Sequence, residues 1–104
     1  MALRRFMVQR PRGTRDFGPM EMKRRLAFES LLEEQARRHG FSRVQTPIFE
    51  SLDLFTAKSG PGVVSQLYAF QDKGERHLTL RPELTAPVMR MVAEELRNET
   101  KPLR

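Results

Sequence analysis

The residues of this chain best suited to chemistry are a carboxylate and a hydroxyl two positions apart, Glu83 and Thr85. A carboxylate in a rigid segment suits the ammonium group of a small zwitterion, because a charge-assisted hydrogen bond is about twice as strong as a neutral one. The same residues could also be a solvated loop glutamate and the threonine that caps a helix. The residues alone predict no catalytic side chain and no metal-ligating cluster.

The segment around Glu83 predicts a stiff corner between a strand and a helix. A strand pattern ends at Arg81, and Pro82 prevents it from continuing, because proline cannot donate to a β-ladder. We expect a helix to follow, with Thr85 as its N-cap and Pro87 in its first turn. Glu83 is therefore predicted to lie on a short, rigid connector.

The N-terminal half predicts a basic arm, a long helix and a strand. Residues 1–18 are rich in arginine and turn-forming residues and are expected to be irregular. A helix should run over residues 19–39, because its first residue is a proline and Gly40 is a left-handed stop. A strand should follow over residues 41–46 and end at Pro47, which cannot donate to a central ladder.

The C-terminal half predicts a hairpin and a second helix. The apolar residues of the segment 48–55 are expected to form an irregular stretch and a short helix. Residues 67–70 and 77–80 should pair as antiparallel strands, since the Asp-Lys-Gly sequence between them favours a tight turn. The final helix should cover residues 85–97, which are amphipathic.

The composition of the chain limits the kinds of partner and site that it can have. The 104 residues include 19 Lys and Arg against 13 Asp and Glu, a net charge of +6 that is compatible with a nucleic-acid partner. The absence of cysteine excludes disulfides and thiolate metal sites, and His39 and His77 are too few and too far apart to build a histidine metal site. The apolar patch at residues 6–8 is too short for a signal peptide or a membrane span. A cytoplasmic location with no membrane partner is expected.

Three segments carry a family resemblance. They are Arg-Pro-Arg-Gly-Thr-Arg-Asp-Phe at residues 10–17, Gly-Phe and Thr-Pro-Ile-Phe-Glu within residues 40–50, and Leu-Arg-Pro-Glu-Leu-Thr-Ala-Pro-Val at residues 80–88. In this order and spacing they resemble the N-terminal part of the catalytic domain in the histidyl-tRNA synthetase family, of class II. The resemblance covers residues 9–104, and the third segment is most similar to archaeal-type members. It implies an α+β fold, with an antiparallel sheet flanked by helices.

The resemblance also implies roles for individual residues. Residues 19–47 correspond to motif 1, the helix and strand through which class II synthetases dimerise, with Pro47 as its marker. Glu83 and Thr85 match the positions that hold the α-amino group of histidine, with Leu84 between them. No residue of this chain is assigned to catalysis or to a metal. The substrates implied for the complete enzyme are histidine, ATP with Mg²⁺, and tRNA(His), and a homodimer is expected.

The resemblance predicts that residues 1–104 are an N-terminal fragment of the catalytic domain. Residues 67–104 would then form the hairpin, the histidine-binding corner and the following helix. The chain ends before the motif 2 arginine that grips the α-phosphate in the family, so we expect it to be inactive alone. One departure is Gly60-Pro61-Gly62, where relatives usually carry an acidic residue after the first glycine. The proline stiffens this loop and puts its usual role in question.

The function implied is histidine–tRNA ligation, an aminoacyl-tRNA synthetase activity. One alternative is a regulatory paralogue of the same fold that acts on the first enzyme of histidine biosynthesis. The intact Arg-Pro-Glu-Leu-Thr corner favours the synthetase, but both classes can bind histidine. The residues that follow Arg104 would decide between them, through an anticodon-binding domain. A third interpretation is a basic interaction module without a site of its own.

Overall fold

A computed structural model of the chain describes residues 7–104, so residues 1–6 of the predicted basic arm lie outside the described part. The chain divides into two compact units, one ending at Ser42 and one running from Arg43 to Arg104. The elements are α1 (Pro19–Arg38), β1 (Phe49–Ser51), α2 (Asp53–Ser59), a 3₁₀-helix (Pro61–Gln66), β2 (Ala69–Gln71), β3 (His77–Leu80) and α3 (Thr85–Glu94). The predicted α+β fold with antiparallel strands is confirmed.

The first unit is built around α1, whose ends follow local sequence signals. The helix begins at Pro19 and ends at Arg38, and Gly40 follows with a φ of 81°, a conformation that favours glycine. The prediction for this helix is confirmed to within one residue. α1 buries none of its side chains, and residues 7–18 before it form no helix or strand. Across residues 7–104, no helix combines the length and apolar character that crossing a membrane requires.

The second unit contains a three-stranded antiparallel sheet in the order β1-β3-β2. β2 and β3 form the predicted hairpin, although β2 begins two residues later than the sequence indicates. Asp72 shapes the turn between them, because its Oδ1 accepts hydrogen bonds from the N–H groups of Gly74 and Arg76, each at 2.9 Å. The hairpin therefore depends on a side chain as well as on the strand ladder.

The strand predicted over residues 41–46 is wrong. This segment has no strand neighbour in the described part of the chain, so no ladder forms there. A side chain takes the place of the ladder at its end, because Arg81 donates hydrogen bonds to the carbonyl oxygens of Thr46 and Pro47. The segment is thus anchored without belonging to the sheet.

Two further boundaries differ from the sequence prediction. A short strand, β1, forms at Phe49–Ser51, where the sequence predicts an irregular stretch. Its partner is β3, which was expected to pair only within the hairpin. The short helix expected in the same region is confirmed as α2. α3 ends at Glu94 rather than at residue 97.

The buried part of the second unit is small and lies where α2 meets β1 and α3. Phe55 of α2 is buried, and Thr79 in β3 is fully buried opposite the buried carboxylate of Glu50. The other face of the sheet carries Phe49 and Phe70, whose rings meet edge to face with centroids 6.2 Å apart. Both rings are about half exposed, so that face has little cover within the chain.

Candidate functional site

The strand, connector and helix predicted around Glu83 are all present. β3 ends at Leu80 and α3 begins at Thr85, so Glu83 lies on the connector between them. Its carboxylate accepts hydrogen bonds from the backbone N–H groups of Thr85, at 2.5 Å, and Ala86, at 3.2 Å. These N–H groups belong to the first turn and have no carbonyl partner within the helix. A negative charge at this end is also favoured by the helix dipole.

Thr85 is not the cap of this helix, and the prediction that it would be is wrong. Thr85 occupies the first helical position, after Leu84, and no side-chain hydrogen bond comes from the N-cap residue. Glu83 supplies the acceptor from one residue further upstream, because the connector turns its carboxylate back over the first turn. Capping therefore does not use the Thr85 hydroxyl.

Glu83 and Thr85 line one cavity of about 370 Å³ between α2 and the start of α3. Cavities of this size hold small molecules in proteins. Its wall also includes Lys58 and the apolar ring of Phe55. A carboxylate can accept about four hydrogen bonds, so two N–H donors leave Glu83 with capacity for the ammonium group of a ligand. Across residues 7–104, no group of three or more His, Cys, Asp or Glu side chains is placed to hold a metal ion.

The side chain of Leu84 lies apart from this cavity. It is 56% exposed and lines a separate, largely apolar hollow of about 190 Å³ together with Val44, Arg81 and Val88. Leu84 is absent from the lining of the cavity that Glu83 and Thr85 share. The structure therefore brings Glu83 and Thr85 together and separates the Leu84 side chain from them.

Arg81 fixes the first residue of the connector to the segment that ends at Pro47. Its Nη1 donates to the carbonyl oxygens of Thr46, at 2.8 Å, and Pro47, at 2.9 Å. Its backbone N–H donates to the carbonyl oxygen of Ile48 at 3.0 Å. Pro47, the predicted dimerisation marker, thus lies against the start of the Glu83 connector. No local sequence pattern indicates this contact, since the partners are 34 and 35 residues apart.

An ion pair between a buried carboxylate and a partly exposed guanidinium joins β1 to α3, and no sequence pattern identified it. Glu50 is only 5% exposed and accepts hydrogen bonds from Arg90 Nε at 2.5 and 3.1 Å. Arg90 Nη1 also donates to Glu94 at 2.9 Å. The hydrogen bond to Glu50 raises the pKa of Arg90 above its ordinary value. One feature of the sequence could have indicated the pair, namely a glutamate within the apolar segment 48–55. Carboxylates are seldom buried unless they are paired.

The comparisons with known proteins agree on one family. The family model described as histidyl-tRNA synthetase matches residues 13–104. The histidine–tRNA ligase of Methanosphaerula palustris is 58% identical over 98 residues, which cover 94% of this chain and 24% of that relative.

Solved structures extend the similarity to the fold. The apo histidyl-tRNA synthetase of S. aureus matches with a TM-score of 0.78 and 37% identity, over 93% of this chain and 23% of that chain. A Bacillus halodurans protein described as an ATP phosphoribosyltransferase regulatory subunit/histidyl-tRNA synthetase matches with a TM-score of 0.77 and 30% identity, over 94% and 26%. The chain therefore spans about a quarter of the length of these proteins. Because the family model and the relatives agree over nearly all of its residues, the chain belongs to the histidyl-tRNA synthetase family.

Proposed function

We propose that the complete gene product is a histidine–tRNA ligase, which joins histidine to tRNA(His) and consumes ATP. In this reaction the histidine carboxylate attacks the α-phosphorus of ATP and pyrophosphate leaves. The histidyl group of the resulting adenylate then passes to the 3′ end of the tRNA, and AMP is released. ATP enters with Mg²⁺, so both are substrates rather than resident cofactors. The described residues contribute to the amino-acid end of the site, and no catalytic side chain is assigned to them.

Glu83 and Thr85 hold the α-amino group of histidine in this proposal. The observation that carries it is the Glu83 carboxylate, which two backbone N–H groups orient at the wall of a cavity of about 370 Å³. An ammonium group would find a charged acceptor there, and the Thr85 hydroxyl offers a second acceptor on the same wall. Leu84 contributes through its backbone position only, since its side chain lines another hollow.

Glu83→Gln tests this assignment. Glutamine keeps an oxygen that can accept from the N–H groups of Thr85 and Ala86, but it removes the negative charge. A hydrogen bond to a charged group contributes about 1.5–3 kcal/mol, so the KM for histidine in ATP–pyrophosphate exchange should rise about 10- to 100-fold. Glu95→Gln is the matched control, because it removes the same charge at the exposed C-terminal end of α3. An unaltered histidine KM in Glu83→Gln would contradict the assignment.

A regulatory role is the second candidate, and one solved structure favours it. The description of the Bacillus halodurans protein names both an ATP phosphoribosyltransferase regulatory subunit and a histidyl-tRNA synthetase. A regulatory paralogue would bind histidine at the same corner without charging tRNA. Charging of tRNA(His) by the complete gene product supports the ligase. Failure to charge, together with a change in ATP phosphoribosyltransferase activity on mixing, would support the regulator.

The proposed enzyme acts as a homodimer in the cytoplasm, where tRNA and ATP are both available. The support for the dimer is α1, which buries none of its side chains and exposes large apolar ones. Apolar surface of this extent marks a protein contact more often than a free surface. Pro47 is proposed as the marker of that contact.

A further inference from the structure

We infer that the partly buried ion pair of Glu50 and Arg90 positions the Glu83 corner, which makes both of them positioning residues for the amino-acid end of the site. This inference rests on the proposed function. Glu50 lies at the centre of β1, and its side chain is 4% exposed. Arg90 lies in the middle of α3 and reaches it with Nε at 2.5 and 3.1 Å from the two carboxylate oxygens.

The pair fixes the orientation of α3 in a way that its apolar contacts cannot. Pro87 is the one buried residue of α3. Its contacts are apolar, and apolar contacts are not directional. The Nε–H of Arg90 is shared between the two oxygens of Glu50, and this directional, charge-assisted hydrogen bond restricts the rotation of the helix about its axis and its sliding along the sheet. Buried ion pairs add little net stability compared with apolar pairs, so orientation is the more specific contribution.

The position of the Glu83 carboxylate follows from the position of α3. Thr85 and Ala86, whose N–H groups hold that carboxylate, precede Arg90 by about one turn of the same rigid helix. At the other end of the connector, Glu50 is the register partner of Thr79, which is fully buried in β3. Glu50 is therefore linked to both the strand that enters the corner and the helix that leaves it.

A shift of α3 would change the geometry of the ammonium site without changing the residues that form it. Misplacement of a bound group by about 1 Å can reduce a rate about 100-fold. The ATP half of the reaction has no contact with this corner in the proposed assignment. The effect should therefore fall on histidine rather than on ATP.

Glu50→Gln in the complete gene product tests the inference, because it keeps the shape of the side chain and removes the charge. We expect the KM for histidine in ATP–pyrophosphate exchange to rise, so that kcat/KM for histidine falls about 100-fold, with the KM for ATP unchanged. Glu94→Gln is the matched control, because it removes the exposed partner of the same arginine and leaves the pair with Glu50 in place. A rise in the KM for ATP as large as the rise in the KM for histidine would overturn the inference.

A double variant separates positioning from stability. Glu50→Leu with Arg90→Met replaces the ion pair by apolar side chains, a change that is often neutral or stabilising. We expect this variant to regain the melting temperature of the wild type while the KM for histidine stays raised. If the double variant restores both, the pair acts through stability alone and the inference is wrong.

Hydrogen exchange provides a readout that does not depend on activity. In Glu50→Gln, the amides of Thr85 and Ala86 should exchange about fivefold faster than in Glu94→Gln, because a helix start that is no longer fixed to β1 opens more often. Unchanged protection of these amides would overturn the inference. If the wild type lacks histidine-dependent exchange of pyrophosphate, the proposed function fails, whereas the amide measurement still decides whether the pair positions the corner.

Discussion

Glu83 combines two demands on one carboxylate. It accepts hydrogen bonds from the N–H groups at the start of α3, which have no carbonyl partner within the helix. In the proposed function it also accepts hydrogen bonds from the ammonium group of histidine. The demands are compatible because a carboxylate has about four acceptor positions. The helix therefore orients the side chain before the ligand arrives, which reduces the entropy lost on binding.

Thr85 allows the hydroxyl to be tested separately from the helix start. Thr85→Val removes the hydroxyl but keeps the shape, the backbone N–H and nearly the same helix propensity. A hydrogen bond to the charged ammonium group contributes about 1.5–3 kcal/mol, so the KM for histidine should rise about 10- to 100-fold while the melting temperature stays the same. Thr85→Ser, which keeps the hydroxyl, is the control. Histidine binding by Thr85→Val at the wild-type level would remove Thr85 from the site.

The helices and the hairpin could be predicted from the sequence because their signals are local. Gly40 has the positive φ that its position after α1 predicts, and the turn that contains Asp72 closes the expected hairpin. The strand predicted over residues 41–46 was wrong because a sequence pattern for extended backbone does not show what bonds to its carbonyl groups. A neighbouring strand could do so, but here the side chain of Arg81 does. β1 was missed for the converse reason, since its pairing with β3 depends on residues far along the chain.

The turn of the hairpin depends on the charge of Asp72. The backbone N–H of Arg76 lowers the pKa of Asp72 below its ordinary value of 3.8, and the Arg76 side chain lowers it further through Nε at 2.7 Å from Oδ2. Because the pKa is lower in the folded state, the stabilisation is complete above the ordinary pKa. It is lost as the pH falls through the folded-state value.

Asp72→Ala should therefore loosen the hairpin at neutral pH. The amide of Gly74, which donates to Asp72, should exchange faster in the variant, and the melting temperature should fall. The difference from the wild type should shrink in acid, below the folded-state pKa of Asp72, because the wild-type side chain is then also uncharged. Lys73→Ala is the control in the same turn. A difference in melting temperature that persists unchanged into acid would show that charge is not the cause.

The candidate site divides into a part that the sequence could predict and a part that it could not. Glu83 and Thr85 are two residues apart, so a strand, a proline and a helix start suffice to place them together. Arg81 and the pair of Glu50 with Arg90 bridge 34 to 40 residues, and only the folded chain brings their partners into contact. Prediction from sequence thus identified the residues proposed to bind the ligand and missed those that hold them in place.

The proposed dimer would bury the large apolar side chains that α1 exposes. Phe28 is 62% exposed, Leu31 67% and Leu32 54%. Their spacing of three and four positions places them on one side of the helix. A second copy of the chain is the partner that the proposed enzyme requires there, because the two-fold symmetry of a homodimer would pair the same surface with itself.

Leu31→Glu in the complete gene product should disrupt this contact. A charge introduced into an apolar interface loses its hydration without gaining a partner, so the dimer dissociation constant should rise at least about tenfold. Ser30→Glu is the matched control, because it adds the same charge one residue away, on the side of α1 opposite Phe28 and Leu32. Sedimentation velocity over a range of concentrations would measure both. Dimers of equal affinity in the two variants would mean that the α1 surface serves some contact other than self-association.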